Sequence, residues 1–145
     1  MVSTIEDTRQ PAGRDTGRLH PDDVLLGLLV LGHEEPGTAL FPASSPRLHA
    51  LFDELRAAPE ASGLLDGFDT LDGAPYPYSP QLAQSLSHLE RSRLIGKHNP
   101  DFEHFFVEDD AKAVFDRLVA RHLSAEVRDR LAKLATRFWE SATAA

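Results

Sequence analysis

Residues 76–107 read YPYSPQLAQSLSHLERSRLIGKHNPDFEHFFV, and several independent local signals of structure agree within this stretch. Ser79 is a favourable helix N-cap, and Pro80 suits the first helical position, where a missing N–H group costs nothing. An apolar stripe at helical spacing follows, formed by Leu82, Leu86 and Leu89. The stretch is therefore predicted to begin with a helix from Pro80 to about Arg93.

The second half of the same stretch has the pattern of a β-hairpin. Leu94 and Ile95 form a hydrophobic pair, and residues 96–101 are rich in turn formers. Residues 103–107 alternate between the two sides of a strand. We therefore predict a helix that leads directly into a small two-stranded wing.

Outside this stretch the same criteria predict four more helices and one short strand. They are a central apolar helix over 21–31, a strand over 38–41, a helix opened by Ser45 and Pro46, a helix capped by Asp109 or Asp110, and a last helix beginning at Ser124. For residues 60–74 we expect a short helical turn and a loop that packs its hydrophobic side chains under the domain. Residues 1–18 show no sustained period and are predicted to be a flexible tail, followed by a single domain over 19–141.

The composition excludes several classes of protein. The chain of 145 residues has no cysteine, which rules out disulfides, thiolate metal sites and cysteine nucleophiles. No apolar run approaches the ~18 residues that a membrane span needs, and no secretory signal opens the chain, so a cytoplasmic protein with no membrane partner is expected. The net charge is −8, with the excess of basic residues confined to positions 111–145. An acidic body disfavours non-specific binding of nucleic acid by the whole surface.

The order of these elements resembles the winged helix-turn-helix superfamily. Its hallmark is a helix of the form L-x-x-x-L-x-x-L followed closely by a hydrophobic pair, here the stripe from Leu82 to Leu89 and then Leu94 and Ile95. Many members carry glycine immediately before the pair, where this chain has Arg93. The resemblance implies a mainly α winged-helix domain with a small β-hairpin wing, to which this chain adds two C-terminal helices.

The string YPYSPQLAQSLSHLERSRLI also resembles the core of Panacea-type antitoxin domains, in which an aromatic-Pro-Tyr-Ser turn precedes such a helix. The two resemblances together cover residues 21–108. Antitoxin domains of this type are small helical proteins that bind and neutralise a partner. Neither family supplies catalytic residues to transfer to this chain.

A DNA-reading surface is one hypothesis that the predicted helix and wing support. Gln and Arg make bidentate contacts to base edges, and a winged helix offers them to the major groove. The candidate residues are Gln81, Gln84, Ser85, His88, Arg91 and Arg93 on the helix, with Lys97 and His98 at the wing. Against this hypothesis, residues 101–110 carry five carboxylates and no lysine or arginine, so the wing opposes phosphate.

Metal binding and catalysis have weaker support. His88, His98 and His104 could approach one another, with Asp101 or Glu103 as an oxygen ligand, but their spacing matches no known ligand motif, so no metal is expected. His33, His49 and His122 are interpreted as helix-end or packing histidines. No nucleophile elbow or phosphate loop occurs, and capping explains the serines, so no enzyme and no cofactor are predicted.

A protein-binding surface is the hypothesis with the broadest support. Phe138 and Trp139 are neighbours on the last helix and point about 100° apart, so a small core should bury only one of them well. The other is a candidate anchor flanked by Arg130 and Arg137, unless the N-terminal tail or residues 64–75 cover it. On the wing, Phe106 is likewise a candidate anchor for a partner, unless another part of the chain covers it.

The sequence therefore predicts a non-enzymatic recognition module. The favoured function is a protein-interaction adaptor or an antitoxin-like subunit of a bacterial assembly. The alternative is a winged-helix transcriptional regulator that forms a homodimer through its C-terminal helices and reads DNA with the helix over 80–93.

Overall fold

The computed structural model describes residues 19–32, 40–98 and 103–143, in which five α-helices and three short strands form. In chain order they are α1 (Pro21–Leu31), β1 (Leu40–Pro42), α2 (Ser45–Leu55), α3 (Pro80–Arg91), β2 (Ile95–Lys97), β3 (His104–Val107), α4 (Ala111–Leu118) and α5 (Ala125–Thr143). The predicted tail over 1–18 lies outside these residues, as do the first two residues of the strand predicted over 38–41.

Helix α1 is the centre of the fold, as its apolar sequence predicts. Every residue from 24 to 30 is buried, and the helix contacts α3, α4 and α5. Its approach to α5 is close because Gly27 has no side chain: a Cβ there would lie 2.5 Å from Cδ2 of Leu131. At the end of the helix, a Cβ on Gly32 would lie 2.3 Å from Cδ1 of Trp139. Gly27 within α1 and Gly32 directly after it thus allow the close approach of α1 to α5.

The strands form one antiparallel sheet in the order β1-β3-β2. The predicted hairpin is present as β2 and β3, but it is not a separate two-stranded wing because β1 also pairs with β3. Phe41 of β1 is in register with Phe105 of β3, and their ring centroids lie 5.2 Å apart inside the core. Pro42 stands on an edge strand, where proline is tolerated. The protein is mainly helical with a small three-stranded sheet.

The capping predictions are confirmed for two helices and need correction for two others. Ser79 accepts a hydrogen bond from the Leu82 N–H, and Ser124 accepts one from Val127, both at 3.2 Å. By contrast, α2 begins at Ser45 itself, one residue earlier than predicted, with no side-chain cap. Asp110 occupies the N-cap position of α4 but makes no capping bond. The carboxylates before α4 therefore do not have the capping role that their sequence position suggested.

Two leucines in the described part of the chain are exposed, and one of them lies in the segment that was predicted to pack its hydrophobic side chains under the domain. Residues 59–74 contain the expected helical turn, a 3-10 turn over Pro59–Ala61, and bury Leu64, Leu65 and Phe68. Leu71, however, is 54% exposed. Leu118 is 58% exposed at the last residue of α4, after which the chain turns into a second 3-10 segment, Ala120–His122.

Candidate recognition surface

The paired aromatic residues of α5 are both inside the fold. Phe138 is 0% exposed and Trp139 5%. The indole Nε1–H of Trp139 donates to the carbonyl oxygen of Leu28 at 3.0 Å, and its ring packs edge-on against Phe41. Phe138 packs against Phe52 of α2, with centroids 5.8 Å apart. The prediction that only one ring is buried is wrong because α5 is covered on more than one side, by α1, α2 and β1.

The two arginines predicted to flank an exposed anchor hold a turn of the same chain. Arg130 donates to the carbonyl oxygens of Glu60 and Ser62, the former at 3.3 Å. Arg137 Nε donates to Glu60 Oε1 at 3.1 Å. The backbone amide of Glu60 and then the Arg137 guanidinium lower the pKa of the Glu60 carboxyl. Both arginines therefore fasten the 59–62 turn to α5 in this structure.

Phe106 is the aromatic residue of the wing that faces away from the core. It is half-buried, whereas Phe105 is buried. Its ring lies over Gly96 on the neighbouring strand, since a Cβ at Gly96 would be 2.9 Å from the ring. Phe106 thus covers the hairpin backbone and keeps part of its surface open to solvent.

The polar face of α3 is less accessible than the sequence predicted. Ser85 is 0% exposed and its hydroxyl accepts a hydrogen bond from Gln81 Nε2 at 3.0 Å, so the assignment of Ser85 to a DNA-reading surface is wrong. His88 is half-buried, with Nδ1 2.8 Å from Asp22 Oδ2 at the start of α1. Gln84 remains exposed. The packing of α3 against α1 accounts for the burial of Ser85 and for the contact of His88 with Asp22.

Three cations at the end of α3 and on β2 are exposed: Arg91, Arg93 and Lys97. None of them forms an ion pair with another of the residues that the structure describes. Arg93 has a φ of 63°, the left-handed conformation that favours glycine. The Leu94 N–H donates to the Leu89 carbonyl at 2.9 Å, which closes the helix end. The helix ends at Arg91, two residues before the predicted end, because Arg93 turns the chain.

The three histidines considered as metal ligands do not converge. His98 and His104 pair across the hairpin, where the His98 N–H donates to the His104 carbonyl at 2.7 Å, whereas His88 contacts α1. Across residues 19–32, 40–98 and 103–143 no group of three His, Asp or Glu side chains is placed to hold a metal ion. Asp101, one of the proposed oxygen ligands, lies outside these ranges.

A buried histidine links α2 to α3. His49 is 1% exposed, and its Nδ1 accepts a hydrogen bond from the Ser79 backbone N–H at 2.9 Å. The ring stacks on Tyr78, with centroids 4.7 Å apart and planes at 14°, and Tyr76 packs against it edge-on. Burial lowers the pKa of His49 below its usual value. The sequence predicted a packing role for this residue, but no local pattern points to a bond with a residue so distant in the chain.

Two adjoining cavities lie where α2, α3 and the hairpin meet. The first, of about 360 Å³, is lined by Arg47 at the start of α2 and by Lys97, Glu103 and His104 of the hairpin. The second, of about 210 Å³, runs between α2 and α3. Both are lined by Ala43 and Lys97, so we describe them together as the α2–α3 groove.

The second cavity is lined by both apolar and polar side chains. Leu48 of α2, Leu86 of α3 and Phe105 of β3 supply apolar surface, while Ser87 and Glu90 stand on the α3 side. His49 is also part of its wall. The α2–α3 groove therefore offers apolar contact together with charges of both signs, a combination suited to polypeptide.

No protein-family model, no curated protein and no solved structure matches this chain. Among the described helices, none combines the length and the apolar character needed to cross a membrane.

Proposed function

We propose that this chain is a non-enzymatic recognition domain whose α2–α3 groove binds a segment of a partner protein. The observation that carries the proposal is the lining of the groove, which combines apolar side chains of α2, α3 and β3 with cations and carboxylates. Interfaces between proteins combine an apolar centre with a polar rim in this way. The sequence predicted a partner surface on the wing and the C-terminal helix; the surface proposed here is formed instead by α2, α3 and the hairpin.

The charges of α3 and the hairpin favour protein over nucleic acid. Residues 80–98 and 103–110, which comprise α3 and the described part of the hairpin, contain three Lys or Arg and five Asp or Glu. Phosphate contacts supply most of the affinity of proteins for DNA, and these carboxylates oppose them. A polypeptide can instead meet charges of both signs.

The class of function that we propose is an adaptor or antitoxin-like subunit of a bacterial assembly, acting without a cofactor in the cytoplasm. The order helix, strand, helix, helix and hairpin supports a winged-helix-like domain. The connection between α2 and α3 is unusual for that fold, because residues 56–79 replace the turn of three or four residues that joins such helices. The turn at 59–61 and the buried side chains of 64–68 give this connection a structural role of its own.

The proposal is tested by affinity capture of the tagged protein from its own cells, with half of the sample treated with nuclease. We expect a stoichiometric protein that survives nuclease. Ser87→Tyr places bulk on the exposed groove side of α3 and should reduce capture at least ~10-fold, since a filled groove loses the central contacts of the interface. Ser141→Tyr is the matched control, because Ser141 is also exposed on a helix but belongs to α5 and does not line the groove.

Two results would overturn the proposal. In one, no stoichiometric protein is recovered and only nucleic acid is enriched. In the other, a protein is recovered but Ser87→Tyr and Ser141→Tyr retain it equally, which would place its binding site away from the α2–α3 groove.

DNA binding by a transcriptional regulator is the second candidate, and the conformation of Arg93 favours it. A left-handed arginine costs about 1–2 kcal/mol relative to glycine, and a residue held under strain is a candidate for function. Arg91 and Lys97 stand nearby in sequence without ion pairs to other described residues. The homodimer of this candidate needs exposed apolar surface on the C-terminal helices, which Leu118 supplies.

This second candidate is tested by selecting DNA from a random-sequence duplex library at two salt concentrations. If it holds, Arg91→Glu and Arg93→Glu should abolish enrichment, because each replaces a phosphate or base contact with a repulsive charge. Arg117→Glu and Arg121→Glu, at exposed positions in and after α4, are the matched controls. Equal retention of DNA by both pairs of variants would exclude α3 as the reading helix.

A further inference from the structure

We propose that His49 is a positioning residue for the α2–α3 groove and makes it sensitive to pH: the neutral ring holds the first turn of α3 against α2, and protonation releases it. The inference concerns the regulation of the groove and rests on the proposed function for its biological meaning. The structural part can be tested without any partner.

The hydrogen bond from Ser79 fixes the protonation state of the ring. The Ser79 backbone N–H can only donate, and it points at His49 Nδ1 from 2.9 Å. Nδ1 must therefore be the unprotonated nitrogen, and the ring is neutral with its proton on Nε2. Adding a second proton at Nδ1 would set two donors against each other in a buried site.

The bond matters because of where Ser79 stands. The hydroxyl of Ser79 caps α3 by accepting from the Leu82 N–H, while its backbone N–H is bound by His49. One residue thus joins the start of α3 to the middle of α2. Ser79 is 2% exposed, so water cannot replace the histidine without local opening. Loss of the bond should loosen the wall of the groove that His49 itself lines.

The charged and titratable groups around the ring do not favour an imidazolium. Tyr76 and Tyr78 are the groups on the segment before α3 that pack directly on it. Across the groove stand Glu90 of α3 and Lys97 of β2, which carry opposite charges. On α2 itself, the charged residues on either side of His49 in sequence are Arg47 and Asp53, which also carry opposite charges. Burial lowers the pKa of His49, in agreement with this arrangement.

The sign of the pH effect follows from the direction of the pKa change. A histidine whose folded pKa lies below its unfolded value stabilises the fold fully above the unfolded pKa, near 6.5. This contribution is lost as the pH falls through the folded pKa. The α2–α3 junction should therefore be closed at neutral pH and should open under acidic conditions.

Hydrogen exchange of the full chain tests the inference between pH 7.5 and pH 5. His49→Asn is the reference variant, because the asparagine Oδ1 can take the place of Nδ1 as acceptor and does not titrate. The ratio of wild-type to His49→Asn protection at the first turn of α3 removes the intrinsic pH dependence of exchange and the effects of the other histidines. We expect this ratio to fall about tenfold on acidification, as for the loss of one buried hydrogen bond, and the ratio for α5 to stay constant.

A second variant keeps the test decisive if His49→Asn alters the overall stability. His49→Leu preserves apolar volume but removes the acceptor, so the first turn of α3 should exchange fast at every pH. The inference is overturned if the ratio does not change with pH, or if His49→Leu protects α3 as well as the wild type does.

A partner found by affinity capture extends the test to binding. Its retention should fall at pH 5 for the wild-type chain and persist for His49→Asn. If exchange responds to pH as expected but no partner is captured, the role of His49 stands and the proposed function fails. If a partner is captured and its retention and the exchange ratio are both independent of pH, the proposed function stands and the role of His49 fails.

Discussion

The C-terminal helix and the face formed by α3 with the hairpin carry similar residue types but use them in opposite ways. On α5, two aromatic rings are buried and Arg130 and Arg137 bind a turn of the same chain. At the end of α3, Arg91 and Arg93 are exposed and have no ion pair within the described part of the chain. The difference teaches that arginine beside an aromatic residue indicates an interface only when the fold leaves both uncovered. Which helix recognises a partner depends on what packs over it.

The largest effect is expected when one of the buried aromatic rings of α5 is removed. Trp139→Ala should lower the free energy of unfolding by about 3–5 kcal/mol, because it empties a packed site and removes the hydrogen bond that the indole donates to the Leu28 carbonyl. Urea unfolding followed by far-UV circular dichroism measures the change. Leu118→Ala, at an exposed leucine, should change it by less than about 0.5 kcal/mol. A loss below about 1 kcal/mol for Trp139→Ala would show that the ring is not packed as described.

A smaller effect should come from crowding the contact between α1 and α5. A Cβ at Gly32 would meet both Trp139 and the Ala135 carbonyl oxygen, the latter at 2.7 Å, and backbone cannot yield as a side chain can. Gly32→Ala should therefore cost about 1–3 kcal/mol in the same unfolding experiment. Gly67→Ala is the matched control, because its nearest contact, Pro21 Cγ, is at an ordinary 3.5 Å. Equal stability of the two variants would contradict the close approach of α1 to α5.

On the exposed side of the comparison, relief of backbone strain should stabilise the protein. Arg93→Gly removes the Cβ that opposes a φ of 63° and should raise the free energy of unfolding by up to about 1 kcal/mol. Arg93→Ala keeps the Cβ and should give no gain. Thermal unfolding of the pair measures the difference. If Arg93→Gly is more stable but loses a ligand that Arg93→Lys retains, the protein tolerates the backbone strain in order to place a positive charge at this position. If Arg93→Gly is no more stable than Arg93→Ala, the left-handed conformation has no energetic cost.

The smallest effect is expected at Asp23, in the first turn of α1. Burial raises the pKa of its carboxyl, so the folded state favours the protonated form. The stability contributed by this preference is fully present below the unfolded pKa, near 3.8, and is lost as the pH rises through the folded pKa. Asp23→Asn should therefore be more stable than the wild type at pH 7 and show no advantage at pH 3.

Urea midpoints at the two pH values measure this difference. Asp72→Asn makes the same change at an exposed loop position and serves as the control for net charge. An advantage of Asp23→Asn that is as large at pH 3 as at pH 7 would show that charge burial is not its source.

The helices were predictable from sequence because each carries its own apolar stripe and, at Ser79 and Ser124, its own cap. The element against which each stripe packs was not predictable from the sequence. Trp139 is buried because β1 and the end of α1 lie on one side of α5, and its spacing on the helix contains no information about them. Ser85 appears to sit on a polar face by residue type, but the packing of α3 on α1 buries it. The groove combines side chains from three elements, so no single stretch of sequence encodes it.

The bond between Trp139 and Leu28 joins residues 111 positions apart, which has a consequence for the order of events during synthesis. Helix α1 is the most apolar element, yet α5, which covers it, is made long afterwards. At translation rates of ~5–20 residues per second, roughly 5–20 s pass between the synthesis of α1 and that of α5. A nascent chain halted before α5 should therefore expose an apolar helix and recruit chaperones, even though every residue from 24 to 30 is buried in the finished protein.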